Sequence, residues 1–238
     1  MTTLRYQERF KTLQGVFDEF TNRTLFELQS RGIFDEVVSP FKVGKESNVF
    51  LGVKGKEKVI IKIYRVQNCD FKRMYGYIGQ DPRYEFLKKH RRDIIFAWTQ
   101  REYKNLLRAE EAHVLAPKAL GWKAHILVET MIGGQQPALT LKDGYPKNPE
   151  KFFTLVVEEM RKLYQARLIH GDLSAFNILN WREQPYLIDF SQATLIKAPN
   201  SQELLERDIK NIRQFFAKLQ VEADFSTIFK KVTGKEQV

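Results

Sequence analysis

The chain has 238 residues, 43% of them hydrophobic, which suffices for a buried core in one domain or two small lobes. Its 39 Lys and Arg against 29 Asp and Glu leave a formal net charge of +10, which attracts polyanions. A single cysteine excludes an intramolecular disulfide and a multi-cysteine metal site, and no apolar run resembles a membrane span or a secretory signal. We therefore expect a cytoplasmic globular protein that has no membrane partner.

An N-terminal helical extension is predicted for residues 1–36. Aromatic and leucine side chains recur here at helical spacing, at Phe10, Leu13, Phe17 and Phe20. Residues 25–29 continue as a second helix. Gly32 is placed to end it, because glycine readily takes the left-handed conformation that follows many helices.

Two strands joined by a glycine turn are predicted after the extension. The segments 42–53 and 58–64 are rich in β-branched and aromatic residues, and Lys54-Gly55-Lys56 separates them. Lys62 shares a strand face with Tyr64, so a charge stands at an apolar position of the second strand. Such a lysine either extends to water or meets an opposite charge.

A lone glycine lies in the sequence Gly44-Lys45-Glu46-Ser47, ahead of Lys62. The segment is no Walker A loop, because the Gly-Lys-Ser/Thr ending is missing, and it has one glycine where ordinary protein kinases have three. By itself it predicts a turn. Its place one strand before Lys62 makes it a candidate to cover a nucleotide triphosphate.

A basic flexible loop is predicted at residues 65–93. From Arg65 to Arg92 the chain has eight basic and three acidic residues, with aromatic residues between them. Basic and aromatic side chains together suit unpaired nucleic-acid bases, and they equally suit a solvated loop that packs on the domain. Both interpretations stay open at this point.

A helix is predicted from Ile94 to Glu110, and one member of its inward stripe is charged. The stripe consists of Ile95, Trp98, Glu102, Leu106 and Ala109. A buried carboxylate is costly unless a cation meets it, and Lys62 is the candidate. Their pairing would reproduce the strand lysine and helix glutamate that hold nucleotide phosphates in protein kinases. In the alternative, Lys62 extends to solvent and Glu102 lies at the edge of the stripe.

Three further elements are predicted in the second half of the chain. Residues 125–132 form an apolar strand that runs into Gly133-Gly134, a connector between lobes. Apolar residues at helical spacing predict one helix at 153–167 and another that begins at Ser201.

Two carboxylates and a carboxamide lie at the spacing that a phosphoryl-transfer site requires. Asp172 and Asn177 are five residues apart, and Asp189 follows downstream. The protein-kinase catalytic loop uses the same parts: an Asp that accepts a proton, an Asn for metal and a second Asp for metal. A polar loop whose Asp and Asn make only turn hydrogen bonds is the alternative. His170 is expected to brace this loop through hydrogen bonds.

A hairpin is expected to bring Asn177 and Asp189 together. Its strands are predicted at 177–180 and 186–189, closed by residues 181–185, and the simplest register sets Asn177 directly opposite Asp189. Directly opposed residues lie roughly 4.5 to 5.5 Å apart at Cβ, so the two side chains could share one divalent cation.

Four segments together resemble the RIO family of atypical protein kinases: 43–50, 170–177, 188–192 and 206–216. Residues 17–33 are similar to the N-terminal extension of the first RIO subfamily. The His-Gly-Asp loop is shared with aminoglycoside and lipopolysaccharide-core kinases, so the Gly-Lys-Glu and Asp-Phe-Ser-Gln segments distinguish the RIO family.

The resemblance implies an α+β, bilobal protein-kinase-like fold. Residues 37–132 would form a small β-rich N-lobe that includes the basic loop, and residues 133–238 a mainly helical C-lobe. Only 49 residues follow Asp189, and they hold no Ala-Pro-Glu segment. We therefore expect a fold that lacks the activation-loop and peptide-docking subdomains of ordinary protein kinases.

The resemblance also implies the chemistry and the partners. Members of the family bind ATP and Mg²⁺, show weak serine/threonine kinase or ATPase activity, and assist late maturation of the small ribosomal subunit. We therefore expect ATP with Mg²⁺, or with Mn²⁺ in its place. We also expect a pre-ribosomal small subunit or its rRNA as partner, and a protein substrate.

Residue roles follow from the resemblance, position by position. Lys62 and Glu102 would clamp the phosphates, and Asp172 would be the catalytic base. Asn177 and Asp189 would hold the metal ion, and Asp189 is also a candidate to accept the phosphoryl group. The nucleotide would further contact Gly44, Lys45, Glu46, Ser47 and the backbone of Thr130 and Ile132.

Three features depart from the family pattern. Phe41-Lys42 replaces the Ser-Thr pair that usually precedes Gly-Lys-Glu, and Glu129 stands where an apolar gatekeeper is usual. No Ser or Thr occurs between Phe71 and Ile95, where family members often autophosphorylate.

Two alternatives to a protein kinase or ATPase remain at this stage. One is an RNA- or ribosome-binding scaffold that uses nucleotide as a conformational switch with little turnover, which the net charge of +10 favours. The other is a small-molecule kinase of the aminoglycoside or sugar type, which the His-Gly-Asp loop permits.

Overall fold

The computed structural model describes residues 17–66 and 69–235. The predicted helical positions Phe10 and Leu13 lie outside these residues. The described chain begins with a helix, continues as an antiparallel sheet and ends as a mainly helical unit.

The described part of the N-terminal extension contains helix α1 (Glu19–Ser30). Asp18 caps it, because its carboxylate accepts a hydrogen bond from a backbone N–H of the first turn at 2.7 Å. Gly32 follows the helix with φ at +69°, as the sequence predicts. Leu25 and Leu28 are buried against one face of the sheet. The opposite face of the sheet packs against the rest of the molecule.

A five-stranded antiparallel sheet follows α1, with the strand order β1-β2-β3-β5-β4. Its strands are β1 (Glu36–Val43), β2 (Ser47–Lys54), β3 (Glu57–Tyr64), β4 (Ala119–Lys123) and β5 (Ile126–Thr130). The predicted strand at 58–64 is confirmed as β3, and the one at 42–53 is confirmed from Ser47 onward as β2, because a turn precedes Ser47. The sequence pattern does not predict β1. Val38, Phe41 and Val43 are exposed on this edge strand, so the alternation of a half-buried strand is missing.

The described part of the segment 65–93 contains helices where its charge suggests a loop. Its described residues include helix α2 (Phe71–Ile78) and a 3₁₀ helix (Pro82–Tyr84). Met74 and Ile78 are fully buried in a small apolar cluster. The aromatic and aliphatic residues between the charges pack on the domain, and this packing orders the segment.

Helix α3 (Arg91–Glu111) carries the predicted buried stripe. Its inward side chains are all buried, and they are Ile95, Trp98, Glu102, Leu106 and Ala109. The helix contacts β4, β5 and α2. Through Glu102 it reaches the sheet face that bears Lys62.

The C-terminal unit consists of helices with short strands between them. Its elements are β6 (Leu139–Thr140), α4 (Pro149–Gln165), β7 (Leu168–Ile169), β8 (Ile178–Trp181), β9 (Gln184–Leu187), β10 (Thr194–Leu195), α5 (Ser201–Ala217) and α6 (Phe225–Thr233). The predicted helix from Ser201 is confirmed. The one predicted at 153–167 exists as α4, but Arg167 lies beyond its end with φ at +62°.

The hydrophobic core has two main parts. One lies between α1 and the sheet and includes Phe50 and Ile61. The larger part lies in the C-terminal unit and reaches the sheet through Leu106 of α3 and Leu127 of β5. Among the described residues, no helix combines the length and the apolar character needed to cross a bilayer.

The hairpin of β8 and β9 has a register that differs from the predicted one. Ile178 faces Leu187, and the Ile188 N–H donates to the Asn177 carbonyl at 3.0 Å. Asn177 therefore faces Ile188, and Asp189 lies one residue further along. The prediction that Asn177 and Asp189 are directly opposed is wrong.

The cause of the shifted register is a tight turn. Arg182 and Glu183 both have positive φ, at +53° and +59°, and they alone separate the two strands. The predicted closure by residues 181–185 is therefore too long. Pro185 lies within β9, where it is tolerated because β9 is an edge strand of the small sheet β6-β8-β9.

Candidate active site

Lys62 and Glu102 meet in the interior, as their anomalous positions predict. Strand β3 places Lys62 opposite Val49 of β2 and Leu127 of β5. Its ammonium nitrogen lies 2.8 Å from Oε1 of Glu102, and the two side chains are 10% and 1% exposed. The Tyr64 hydroxyl donates a hydrogen bond to Oε2 of Glu102. Both oxygens of this buried carboxylate thus accept a hydrogen bond.

Asp189 approaches the same lysine from the C-terminal unit. Lys62 Nζ lies 2.8 Å from Oδ1 of Asp189, and the Ser191 hydroxyl donates to that oxygen at 2.7 Å. Burial opposes ionisation of Asp189, but the attraction to Lys62 and these hydrogen bonds outweigh it and lower the pKa of Asp189 well below its usual range. Burial likewise opposes the charge on Lys62, and its two carboxylate partners raise the pKa of Lys62 well above its usual value. Lys62 and Asp189 are therefore charged at neutral pH, whereas burial raises the pKa of Glu102.

The backbone of Asp189 explains how it reaches Lys62 in spite of the register. Its φ is +65°, in the left-handed region that residues other than glycine rarely occupy. The chain turns at this residue, directly after Ile188 has paired with Asn177. Asn177 and Asp189 both lie at the open end of the hairpin, although they are not directly opposed.

Asp172 and Asn177 contact each other at this end of the hairpin. Nδ2 of Asn177 donates to the Asp172 carbonyl at 2.8 Å and to Oδ2 of Asp172 at 3.2 Å. Burial and the negative charge of Asp189 raise the pKa of Asp172. A carboxylate with a raised pKa accepts a proton more readily than an ordinary one.

Asp208 braces the loop that bears Asp172, and the motif spacing does not reveal it. Its carboxylate accepts hydrogen bonds from the Gly171 N–H at 2.7 Å and the Leu173 N–H at 2.8 Å. Burial raises the pKa of Asp208 to about 7, although both hydrogen bonds oppose the shift. A sequence signal does exist, since Asp208 lies one turn before Ile212 on the apolar face of α5.

Helix α3 holds the segment 190–193 that follows Asp189. Asn105 donates to two carbonyls of this segment, at 3.0 and 2.7 Å, and Arg101 donates to a third at 3.1 Å. Arg101 is fully buried and also pairs with Asp81 at 2.9 Å. Sequence reasoning misses both residues because Arg and Asn on a helix usually face solvent. The available signal is position along the helix. Arg101 is adjacent to Glu102, and Asn105 lies one turn after Arg101.

His170 braces the catalytic loop, as expected. Its Nε2 donates to the Ile188 carbonyl at 3.0 Å, and its ring lies 5.0 Å from that of Phe190. Burial lowers the pKa of His170 to about 4, so the ring is neutral at physiological pH. A neutral ring with one hydrogen bond has a structural role here.

The glycine turn lies between β1 and β2. The Gly44 N–H donates to the Ser47 carbonyl at 2.9 Å, and a Cβ at Gly44 would lie 2.8 Å from that oxygen, so the turn requires glycine. Lys45 is exposed and Ser47 is buried. Burial raises the pKa of Glu46 despite Arg73 at 3.9 Å. Ser47 pairs with Tyr64, two residues after Lys62, so the turn lies close to where the sheet meets the C-terminal unit at the Lys62–Asp189 contact, a place called here the cleft.

The two residues expected at the nucleotide base lie at the end of β5 and in the connector. Thr130 uses its backbone N–H and its hydroxyl oxygen to bind the backbone of Lys118, at 2.9 Å in both cases. The carbonyl of Ile132 accepts from the Ala138 N–H at 2.9 Å, and Gly133 has a φ of +149°. The connector is thus a tight, internally bonded turn that directly follows the sheet.

The donor set near Asp189 fits a magnesium ion. Mg²⁺ binds oxygen ligands, and in phosphoryl-transfer sites it takes one or two carboxylates together with phosphate oxygens. Asp189 offers a carboxylate whose two contacts both go to Oδ1, and Asn177 offers a carboxamide oxygen. Within the described ranges no group of three or more His, Cys, Asp and Glu residues is arranged for a metal. A site completed by phosphate needs no such group.

A lysine anchored by a helix carboxylate faces an Asp–Asn loop where a sheet meets a helical unit, and protein kinases arrange their phosphoryl-transfer groups in this way. The molecule is thus protein-kinase-like, α+β, with a β-sheet N-lobe and a mainly helical C-lobe. A family model described as the RIO domain matches residues 48–228. The chain belongs to the RIO family.

Relatives across archaea and eukaryotes agree with this assignment. The "RIO-type serine/threonine-protein kinase Rio1" of Methanocaldococcus jannaschii is 42% identical over 234 residues, which cover 98% of this chain and 80% of that protein. The protein of the same name in Haloferax volcanii is 35% identical and covers 98% and 81%. Human "Serine/threonine-protein kinase RIO1" is 32% identical over 86% of this chain, which spans 37% of the human protein.

A solved structure shows the same fold. The Rio2 kinase of Chaetomium thermophilum, in an ADP/Mg²⁺-phosphoaspartate complex, has a TM-score of 0.67 at 20% identity and covers 89% of this chain and 66% of that chain. In the present structure residues 190–200 join Asp189 to α5 and contain only β10 and turns. The expectation of a kinase-like fold without an activation loop at this point is confirmed.

Proposed function

We propose that this chain is a RIO-type serine/threonine kinase or ATPase that transfers the γ-phosphate of ATP with Mg²⁺. The observation that carries the proposal is the Lys62 ammonium group, 2.8 Å from both Glu102 and Asp189 and next to the Asp172–Asn177 pair. The names of the relatives support the reaction, and the ADP/Mg²⁺ complex of the Chaetomium thermophilum kinase supports the nucleotide and the ion.

The phosphates and the ion are assigned to separate side chains. Lys62, oriented by Glu102, would bind phosphate oxygens, and Asp189 with the carboxamide oxygen of Asn177 would hold Mg²⁺. A bound Mg²⁺ neutralises phosphate charge, and Mn²⁺ prefers the same oxygen ligands. Asp172 is the proton acceptor, because its raised pKa lets it take the proton of an attacking hydroxyl or water.

The rest of the nucleotide is assigned to backbone groups at the edge of the cleft. The turn from Gly44 to Ser47, with Lys45 and Glu46, would cover the phosphates, since its glycine lets the backbone approach closely. Adenine would meet the backbone of Thr130 and Ile132, at the start of the connector between the lobes.

Asp189 is also proposed to carry the phosphoryl group for a time. An oxygen of its carboxylate would attack the γ-phosphorus, forming an acyl phosphate and releasing ADP. Water would then attack this phosphorus and give its proton to Asp172, which releases inorganic phosphate and restores Asp189. The phosphoaspartate named for the Chaetomium thermophilum Rio2 kinase supports this route.

We propose the precursor of the small ribosomal subunit as the partner, with the cytoplasm as the compartment. The net charge of +10 suits an RNA-rich particle, and the single cysteine suits a reducing environment. The segment 86–92 offers a contact surface, since Phe86 is 93% exposed and several basic side chains beside it are exposed as well. A protein substrate would be recognised by other surfaces.

Turnover of ATP by the purified protein tests the reaction. With ATP and Mg²⁺ the wild-type chain is expected to release phosphate or label itself, and Asp172→Ala to reduce phosphate release by at least about a hundredfold because the acceptor for the proton of water is lost. Glu203→Gln, at an exposed position of α5, is the matched control and should retain full activity. Full turnover by Asp172→Ala would exclude Asp172 as the base.

A scaffold with a nucleotide switch is the second candidate, and the exposed basic run favours it. In that case the protein binds RNA and nucleotide but releases phosphate no faster than Asp172→Ala does. The same assay therefore separates the two functions.

A further inference from the structure

Glu129 is a buried acid on the sheet face that bears Lys62. It lies near the end of β5, opposite Ile60 of β3, and is 8% exposed. Lys62 pairs with Leu127 two positions earlier on the same ladder. Because side chains alternate between the two faces of a sheet, Glu129 and Lys62 project from the same face. Strand β5 ends one residue later, at Thr130, and the connector to the C-lobe follows.

No partner within the described ranges satisfies this carboxyl group. It makes no hydrogen bond or ion pair there, and the charges that face it are Lys62 of β3, Glu102 of α3 and Asp189 beyond β9. Lys62 is already bound by both of these carboxylates. Lys58, on the same face of β3, donates instead to a connector carbonyl. A buried carboxylate in this position is strongly disfavoured.

Glu129 is therefore a neutral acid at pH 7. Burial and the negative charge of Glu102 raise the pKa of Glu129 to about 8. A neutral carboxyl group presents an O–H donor beside a carbonyl acceptor. Buried donors and acceptors are normally paired, so this pair of atoms calls for a ligand.

Building on the proposed ATP site, we propose that Glu129 selects the base of the nucleotide by hydrogen bonding to N6 and N7 of adenine. With the phosphates at Lys62, the nucleoside extends along the same sheet face toward the connector, and Glu129 lies on that path. The connector backbone at Thr130 and Ile132 takes one edge of the base. The remaining edge of the base faces the sheet, from which Glu129 projects.

The chemistry of the two purines makes Glu129 selective. Adenine presents an amino donor at N6 next to an acceptor at N7, whereas guanine presents acceptors at both O6 and N7. The carbonyl of a neutral Glu129 accepts from N6 while its O–H donates to N7, which is the pairing that Gln makes with adenine. Guanine would set O6 against the Glu129 carbonyl, acceptor against acceptor.

Nucleotide binding, measured by titration calorimetry, tests this role without any need for turnover. The probes are ADP, GDP and 7-deaza-ADP, each with Mg²⁺, and the variants are Glu129→Gln and Glu129→Leu. Wild type and Glu129→Gln should bind ADP about tenfold more tightly than 7-deaza-ADP, because the analogue lacks N7. In Glu129→Leu this ratio should fall to about one, and the preference for ADP over GDP should fall about tenfold. Glu57→Gln, an exposed acid of the same sheet, is the matched control.

A pH series adds a second readout. Raising the pH from 7 to 9 ionises Glu129 and removes its O–H donor, so the wild-type preference for ADP over 7-deaza-ADP should decline. Glu129→Gln cannot ionise and should keep its preference across this range. A wild-type preference that does not change with pH would contradict the inference.

The outcomes separate this inference from the proposed function. If Glu129→Leu binds ADP and shows the wild-type preference over both analogues, the role of Glu129 is overturned and the nucleotide site stands. If the wild-type protein binds neither ADP nor GDP, the proposed function and this inference both fail. Thermal unfolding of each variant confirms that it is folded.

Discussion

Asp208 is a single carboxylate on which the shape of the catalytic loop depends. It accepts two backbone N–H groups, from Gly171 and Leu173, on either side of Asp172. Each carboxylate oxygen accepts one of these bonds, Oδ2 from Gly171 and Oδ1 from Leu173. The position of the proposed base is thus fixed from α5, a helix that is distant in sequence.

We expect Asp208→Asn to weaken the fold and the site together. The amide would turn one N–H toward a backbone N–H, so the free energy of unfolding should fall by about 1–3 kcal/mol. Urea unfolding measures this change, and ATP turnover should fall with it. Glu203→Gln on the exposed side of α5 serves as control. An Asp208→Asn protein with wild-type stability would show that the loop does not need this brace.

Single residues were predictable where a charge broke an apolar pattern. Lys62 on β3 and Glu102 on α3 are such breaks, and each explains the other. The structure confirms their predicted pairing with a contact of 2.8 Å. Asp208 breaks the pattern of α5 in the same way, but its partners are backbone N–H groups, which sequence does not mark. The role of Asn105 is harder to predict than that of Asp208, because an uncharged amide does not stand out from the polar residues around it in a helix.

At the scale of elements, α3 connects the two halves of the site. Glu102 on this helix holds Lys62 of the sheet, while Arg101 and Asn105 hold the segment 190–193 that begins after Asp189. A shift of α3 would therefore displace both Lys62 and the segment that follows Asp189. The helix positions both groups without contacting a reacting atom.

We expect Asn105→Asp to uncouple these groups. The substitution keeps the oxygen that accepts from Arg83 at 2.9 Å but removes the donors to the two carbonyls. Turnover should fall by at least about tenfold, because the two lost hydrogen bonds contribute about 1 kcal/mol each. Steady-state kinetics should show the loss in kcat more than in KM, because Lys62 and the connector are untouched. Lys104→Ala, exposed on the same helix, is the control, and equal effects of both variants would refute the coupling.

The elements differ in how well sequence predicted them. Periodicity identified α3, α4 and α5, because long amphipathic helices repeat their signal many times. It failed for β1, whose apolar side chains are exposed, and for α2, whose short apolar face is interleaved with charge. The hairpin register failed because a two-residue turn and a longer closure differ by local φ angles that composition alone does not fix.

At the scale of the whole molecule, part of the positive charge collects on one exposed segment. Lys88, Lys89, Arg91 and Arg92 are all exposed and lie beside the exposed Phe86. Three of them also lie over aromatic rings, at 4.9, 4.8 and 5.3 Å from the ring centroids. The segment is thus ordered on the domain, and its charges still face solvent. Such a surface suits the phosphate backbone of RNA.

We expect charge reversal at these four positions to reduce RNA affinity and its dependence on salt. Each lost phosphate contact should lower the slope of log affinity against log salt by roughly 0.7 to 0.9. Filter binding or fluorescence anisotropy with a single-stranded RNA at several salt concentrations measures the slope. Reversal of Lys54, Lys56, Lys197 and Lys218, which are exposed elsewhere, is the control for total charge. Equal losses in both variants would show that the segment is not a specific surface.

The contact between Lys62 and Asp189 joins the sheet to the helical unit across the cleft. A nucleotide phosphate bound as proposed would need the same ammonium group, so Asp189 would compete with the ligand for Lys62. The affinity measured for any nucleotide is then a difference between two strong attractions. Overall nucleotide affinity would then be modest although each individual contact is strong. Asp189 would assist the release of product by pairing with Lys62 again.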